Sequence, residues 1–428
     1  MEQLVFHVDV NSAFLSWEAV YRLTKLGETV DLREELCAVG GDSSKRHGII
    51  LAKSLKAKAY GVRTGESILE ARKKCPDLML VPARYGWYRT CSDAFIGILK
   101  EYSPKVEQYS IDEAFMDMTG TGRLFGSPME AANRIRERIC KELGFTVNIG
   151  ISTNKLLAKM ASDFKKPNLV HTLFPSEIEE KMWPLSVREL FFVGRATEQR
   201  LQDMGIRTIG DLARMDKAIV VGHLKKHGEV IWNFANGKAD GLVESEQPDH
   251  KGYGNSTTVA FDVTDAGTAK LILLSLAETV GSRLRRHGVK AEVVSISIKD
   301  TGLKTQGHQM VLDSPTNITA EIYQTACRLF DELWEGYPIR LLGVHTGKIS
   351  EEGSRQMNIF DRTDYEKLEK LDKAVDQIRG RFGLDSIKRA SFLESPGAEK
   401  EPAKKRRPDH MTGRELREQR DQEKDERK

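Results

Sequence analysis

Two adjacent acids interrupt an apolar stretch at Tyr109-Ser110-Ile111-Asp112-Glu113-Ala114-Phe115, and a third lies at the end of a first strand, Leu4-Val5-Phe6-His7-Val8-Asp9-Val10. A carboxylate close to a core loses hydration unless a cation replaces the water. Three such acids therefore constrain the fold, because strand ends must converge around something positive. A divalent metal meets that need most simply, and phosphoryl or nucleotidyl transfer is the chemistry it implies. In a regular strand neighbours point to opposite faces, so Asp112 and Glu113 share a site only if Ser110 to Asp112 form an irregular turn. A salt bridge to a local Lys or Arg would explain any one of these acids; the three together favour metal.

The rest of the chain supplies elements around them. In the first strand Leu4, Phe6, Val8 and Val10 alternate with Val5, His7 and Asp9, so Asp9 points away from the more apolar face. A helix follows, capped by Asn11 or Ser12. Short strands are expected at 36–40, 48–52 and 78–82, helices at 86–102 and 128–143, strands at 105–109, 113–118 and 145–151, and a helix at 153–164 capped by Ser152 or Thr153. That is a mixed α/β layer. Residues 184–236 read as helical, with Phe192-Val193-Gly194-Arg195 and Met204-Gly205-Ile206 bracketing one helix. This resembles a helix-hairpin-helix, in which Gly194 and Gly205 would aim backbone N–H groups at DNA phosphates; a plain αα-turn reads the same residues equally well. After a polar linker, the order strand 256–263, helix 266–287, strands 291–300 and 305–312, helix 317–335, strand 339–349 is βαββαβ. A further helix is expected near 364–381, and from 397 a charged, disordered tail.

Net charge is only +3, so any surface for nucleic acid must be local. The five cysteines form no CxxC pair, which argues against zinc and redox motifs and fits a reducing cytoplasm. Neither a leader peptide nor an apolar run of about 20 residues is visible, so no membrane span is expected.

Four segments, HVDVNSAFLSWEAV at 7–20, GIILAKSLKAKAYGVRTGE at 48–66, YSIDEAF at 109–115 and GISTNKLLAKMASDFKKPN at 150–168, resemble the Y-family translesion DNA polymerases of the bacterial ImpB/MucB/SamB/UmuC type in order and spacing. The resemblance implies an α+β multidomain, right-hand polymerase. Its palm would be 1–19 and 77–172, small fingers 20–76, a helical thumb 173–238, a linker 239–253, a βαββαβ little finger 254–350, and a clamp-binding peptide with a C-terminal helix 351–396. It implies low-fidelity synthesis from dNTPs on primed template DNA. Two Mg²⁺ ions would be held by Asp9, Asp112, Glu113 and the carbonyl of Val10. Asn11, Ser12, Ala13 and Phe14 would lie under the triphosphate, with Lys58 and Lys166 pairing to it. Phe14 would be the steric gate against ribose, although it also reads as a core residue of its helix.

The fingers depart from many relatives, which place Tyr and Arg where this chain has Leu55 and Lys58. Leucine donates no hydrogen bond, and lysine loses the bidentate fork. That pattern is closer to the UmuC branch than to the DNA polymerase IV branch. Lys53 is a nearby cation, read as a solvent-facing helix residue. Asn11 replaces a frequent Asp. Gln356-Met357-Asn358-Ile359-Phe360 resembles the bacterial β sliding-clamp motif, with Gln356, Met357, Ile359 and Phe360 as contacts. Arg283, Arg285 and Arg286 suit phosphate contact or a solvated face. A cytoplasmic monomer is expected, with accessory damage-response proteins as further partners. Two other readings use the same residues: a clamp-recruited DNA-binding accessory without activity, and a nucleotidyl cyclase on a palm-like sheet.

Overall fold

The first strand is buried on both faces, which its alternation alone does not predict. In the computed structural model, which describes residues 3–41, 48–245, 250–351, 355 and 363–392, β1 (Val5–Val10) leads through Asn11 and Ser12 into α1 (Ala13–Lys25). Next come β2 (Cys37–Gly40), β3 (Ile50–Lys53), α2 (Leu55–Ala59), α3 (Ile68–Lys74) and β4 (Met79–Pro82). These strands form a small sheet of order β3-β2-β4. The chain continues with α4 (Tyr85–Tyr102), β5 (Val106–Gln108), β6 (Glu113–Asp117), α5 (Gly122–Phe125), α6 (Pro128–Leu143), β7 (Val147–Ser152), α7 (Lys155–Ser162) and β8 (Val170–Thr172). The second sheet has order β5-β6-β1-β7-β8, with β1 between two antiparallel neighbours.

Phe6, Val8 and Val10 point into a core shared with Trp17 of α1, Phe95 and Leu99 of α4, and Ile135 and Ile139 of α6. Each such side chain contributes about 1.5–3 kcal/mol by leaving water. Helix α6 is started by a capping box between Ser127 and Glu130, with Pro128 in its first turn. On the opposite face, Val5 packs with Phe115 and Ala158 under α7. A Cβ on Gly150 of β7 would stand 1.9 Å from the Ala158 carbonyl oxygen, so only glycine lets α7 lie this close. The cap of α7 is Asn154, whose side chain accepts from Leu157 N, rather than Ser152 or Thr153. Ser152 is still within the strand, buried, with its hydroxyl donated to the Leu173 carbonyl.

The segment expected to be helical, 184–236, holds α8 (Arg195–Asp203), α9 (Ile209–Arg214) and α10 (Lys217–Ala235), with short 3₁₀ and π turns before them from Pro175. Val193 and Ile206, on either side of α8, enter a core with Leu201, Leu212 and Ile231. The segment read as a free linker is partly anchored: Val243 is buried with Val5 and Phe115, and Glu244 N donates to Glu107.

A second compact unit begins after the linker. It runs β9 (Gly252–Val263), α11 (Ala266–Arg286), β10 (Lys290–Asp300), β11 (Thr305–Thr316), α12 (Thr319–Leu333), β12 (Ile339–Ser350) and α13 (Tyr365–Phe382). The βαββαβ order is as expected, and the antiparallel sheet is β11-β10-β12-β9. Helix α13 is tied to α11 by charge. Arg285 donates to Asp376 at 2.7 Å and Asp372 at 3.0 Å, while Glu278 receives Arg379 and Arg389. The residues expected to bind a clamp, 356–360, and the charged tail from 397 lie outside the described residues.

Candidate active site

Antiparallel pairing places Asp9 of β1 directly opposite Glu113 of β6. Cross-strand partners share a face, with Cβ atoms about 4.5–5.5 Å apart. Asp112 ends the irregular segment Ser110 to Asp112 that joins β5 to β6, as the paired acids require. Its backbone carbonyl accepts from Val10 N at 2.9 Å, and its Oδ1 accepts from Ser110 Oγ at 2.6 Å. Ser92 of α4 donates to the Ile111 carbonyl and holds the bend from behind.

The side chains do not form a closed cage. Among the described residues, no group of three or more His, Cys, Asp or Glu is gathered tightly enough to hold an ion. The acids are turned instead to separate partners. Glu113 Oε2 receives His7 Nε2 at 3.1 Å and pairs with the ammonium of Lys159. Burial alone would raise the Glu113 pKa, but these two donors outweigh it and hold the carboxyl at about 2. His7 is fully buried, and burial lowers its pKa; its Nδ1 lies 2.8 Å from the Ser162 hydroxyl, which also donates to the Lys159 carbonyl. Asp9 Oδ1 lies 2.9 Å from Lys166 Nζ. Burial pushes the Asp9 pKa up, and Lys166 only partly offsets it. Three hard oxygen donors on adjacent positions, one of them strained by burial, fit a divalent cation by chemistry and backbone register.

Around the acids the first turn of α1 is open. Ser12 has φ of 47° and makes no side-chain cap. Ala13 is buried, and Phe14, half-buried, stacks on Tyr88 at 5.0 Å, so it is both a packed residue and one with an accessible edge. At Asn11 the N–H donates to the Thr146 carbonyl, and the side chain is shared among Asn148, Thr146 and the Asn168 N–H. It therefore holds the loop that carries Lys166. Asn148 completes that brace by donating to the carbonyls of Ser162 and Lys165.

Beside the small sheet Leu55, 65% exposed, and Lys58 sit on α2. Lys53 is not in a helix: it ends β3, half-buried, and donates to Thr64 Oγ1 at 3.1 Å. Gly194 caps α8 and Gly205 follows it with φ of 81°. Phe192 precedes them in the left-handed region at φ of 73°, a strained position for a bulky residue. In the second unit the structure contradicts the phosphate expectation for Arg285. Its side chain is 7% exposed and spent on two acids of α13. Arg283 donates to the Gly254 carbonyl, and Arg286 is exposed.

The residues missed from sequence are His7, Lys159 and Asn148. His7 was legible as the same-face neighbour of Asp9 at i−2. Lys159 was legible as a lysine in the apolar run Leu156 to Ala161.

The impB/mucB/samB family model matches residues 8–163, its C-terminal domain residues 250–359, and the IMS family HHH motif residues 175–206. A protein of Clostridium acetobutylicum named DNA polymerase IV is 44% identical over 394 residues, covering 92% of this chain and 99% of that one. A DNA polymerase IV of Acetivibrio thermocellus is 39% identical over 93% of this chain and 99% of its own. DNA polymerase IV 2 of Bacillus subtilis is 36% identical over 94% and 98%. A solved Y-family DNA polymerase chimera superposes with a TM-score of 0.70 at 22% identity, over 81% of this chain and 99% of its own, a likeness of fold.

Proposed function

This chain belongs to the impB/mucB/samB family of Y-family DNA polymerases, and from that premise we infer how its residues carry out DNA synthesis. It is a template-directed translesion DNA polymerase, a nucleotidyltransferase acting on primed DNA and dNTPs. Its relatives' names favour the DNA polymerase IV branch, against the UmuC-like reading of Leu55 and Lys58.

The observation that carries the site assignment is the register of Asp9 opposite Glu113, with Asp112 beside them at the bend. Asp9, Asp112, Glu113 and the Val10 carbonyl are the ligands we assign to two Mg²⁺ ions. When bound there, the ions would supply Lewis-acid stabilisation of the charge that develops in nucleotidyl transfer, while Asp9, Asp112 and Glu113 hold them against the primer end and the triphosphate. The open first turn of α1, at Ser12 to Phe14, receives the triphosphate, with its dipole and unclaimed amides favouring the anion. Lys166 and Lys58 add charge there. The Phe14 ring, backed by Tyr88, closes the space a ribose 2′-hydroxyl would need.

The five-stranded sheet and its helices serve as the palm, the three-stranded sheet as the fingers, the helices of 175–237 as the thumb, and the second unit as the little finger. Gly194, Gly205, Arg283 and Arg286 are the DNA contacts we retain. Residues 356–360 are the segment for a sliding clamp. Primer extension by the purified protein with Mg²⁺ and dNTPs tests this reading. Growth of the primer opposite template bases is the expected result. DNA binding without incorporation would instead favour an inactive accessory, and cyclic nucleotide from one triphosphate without template a cyclase.

A further inference from the structure

Two of the three acids are already engaged by lysines. Lys166 pairs with Asp9 at 2.9 Å and also with Asp163 at 2.9 Å, and its side chain is 35% exposed. Lys159 pairs with Glu113 and is 11% exposed. Its ammonium group lies 5.4 Å from the centre of the Tyr109 ring and 5.3 Å from that of Phe191, two aromatic faces that attract it. Among the described residues no Lys or Arg pairs with Asp112, whose side chain takes the Ser110 hydroxyl. A carboxylate oxygen held by an ammonium group at ion-pair distance cannot at the same time meet a divalent ion at ligand distance without like-charge repulsion between the two cations.

Resting on the reading that Asp9, Asp112 and Glu113 are metal ligands, we propose that Lys159 and Lys166 compete with divalent ions for the two flanking acids, so that the protein alone holds metal weakly. At the Asp9 end the exposed Lys166 swings off its partner, which makes it available to an incoming triphosphate. At the Glu113 end Lys159 is seated between rings. There it shares Oε2 with His7, so release on this side is confined to one oxygen while, among the described residues, Oε1 carries no hydrogen bond. A purely structural role for these ion pairs predicts something else: breaking them would loosen the fold and leave metal affinity unchanged or weaker.

The test is Mn²⁺ binding to the whole protein without DNA or nucleotide, followed by the electron paramagnetic resonance signal of free Mn²⁺. Lys166→Met and Lys159→Met should each tighten binding by about 2–5-fold, the range an ion pair of this kind supports. Lys159→Arg, which keeps the charge, should stay within about twofold of the wild type. Thermal unfolding of each variant reports whether it folds; if Lys159→Met does not, Lys166→Met at the exposed end decides alone. Variants that bind Mn²⁺ no more tightly than the wild type, while Asp112→Asn binds it more weakly, would overturn the competition and leave the metal site standing. Mn²⁺ binding that ignores Asp112→Asn would remove the metal site itself, and the proposal with it.

Discussion

Asp9 and Glu113 face each other across one strand pair, yet the two ends of the pocket are built differently. Glu113 is held by a buried histidine and a lysine lodged between Tyr109 and Phe191. Asp9 meets a single, more exposed lysine on a loop, and that loop is braced from behind by Asn11 and Asn148. The consequence is opposite in sign: donors pull the Glu113 pKa down to about 2, while burial raises that of Asp9. Identical register does not produce identical chemistry. One end is pre-organised, and the other keeps a carboxylate whose charge needs a stronger cation than lysine.

The largest effect belongs to the acid between the two ends. Asp112→Asn should lower primer extension by about 10³-fold or more while DNA affinity stays unchanged, because a ligand to the reacting centre is lost and no fold contact is. Near-normal extension would make the contrast between the ends irrelevant to catalysis. Next comes the sugar. Phe14 lies on the Asp9 side, so Phe14→Ala should relax discrimination against ribonucleotides by about 10²-fold, whereas Phe191→Ala on the Glu113 side should leave it alone. Equal relaxation in both variants, measured with paired dNTP and rNTP incorporation, would dissolve the distinction. A smaller effect separates binding from turnover. Lys166→Gln should chiefly raise the KM for dNTP, and His7→Leu should chiefly lower kcat, each by about tenfold, if the first is the nucleotide contact we propose and the second orients Glu113.

The smallest effect is on stability against pH, with a chelator present. Glu113 has a depressed folded pKa, so its contribution is present above the ordinary carboxylate value of 4.5 and is lost as pH falls toward about 2. Glu113→Gln should flatten that acid limb. Asp9 has a raised folded pKa, so its ionised form opposes folding, and Asp9→Asn should stabilise the protein at neutral pH. Urea midpoints between pH 3 and 8 measure both; slopes of the same sign would show that the two ends are alike.

Much of the frame was legible because it rests on local patterns. The strand at β1, the helix over 128–143 and the βαββαβ order each follow from neighbouring residues, and the Asp112-Glu113 pair announces its own turn. What escaped depends on distant partners. Arg285 looks like a phosphate ligand until α13 folds back, for its acids lie 87 and 91 residues away. Lys159 stands in the apolar run Leu156 to Ala161 with no visible partner until Glu113, 46 residues earlier, arrives beside it. Asn11 looked like a missing acid, but its amide has a task no acid could perform, donating to Asn148 while accepting from Asn168. Ser152 resembles a helix cap, and only the adjacent Leu173 carbonyl shows why its hydroxyl is engaged elsewhere.

The most direct measurement is Mn²⁺ anomalous scattering from crystals of the protein with primed DNA and a non-hydrolysable dNTP. Two peaks about 4 Å apart, bounded by Asp9, Asp112 and Glu113 and with Lys166 turned from Asp9 to the triphosphate, are predicted. Mn²⁺ bound elsewhere, with Asp9 still paired to Lys166 and Glu113 touching no metal, would contradict the assignment of these acids.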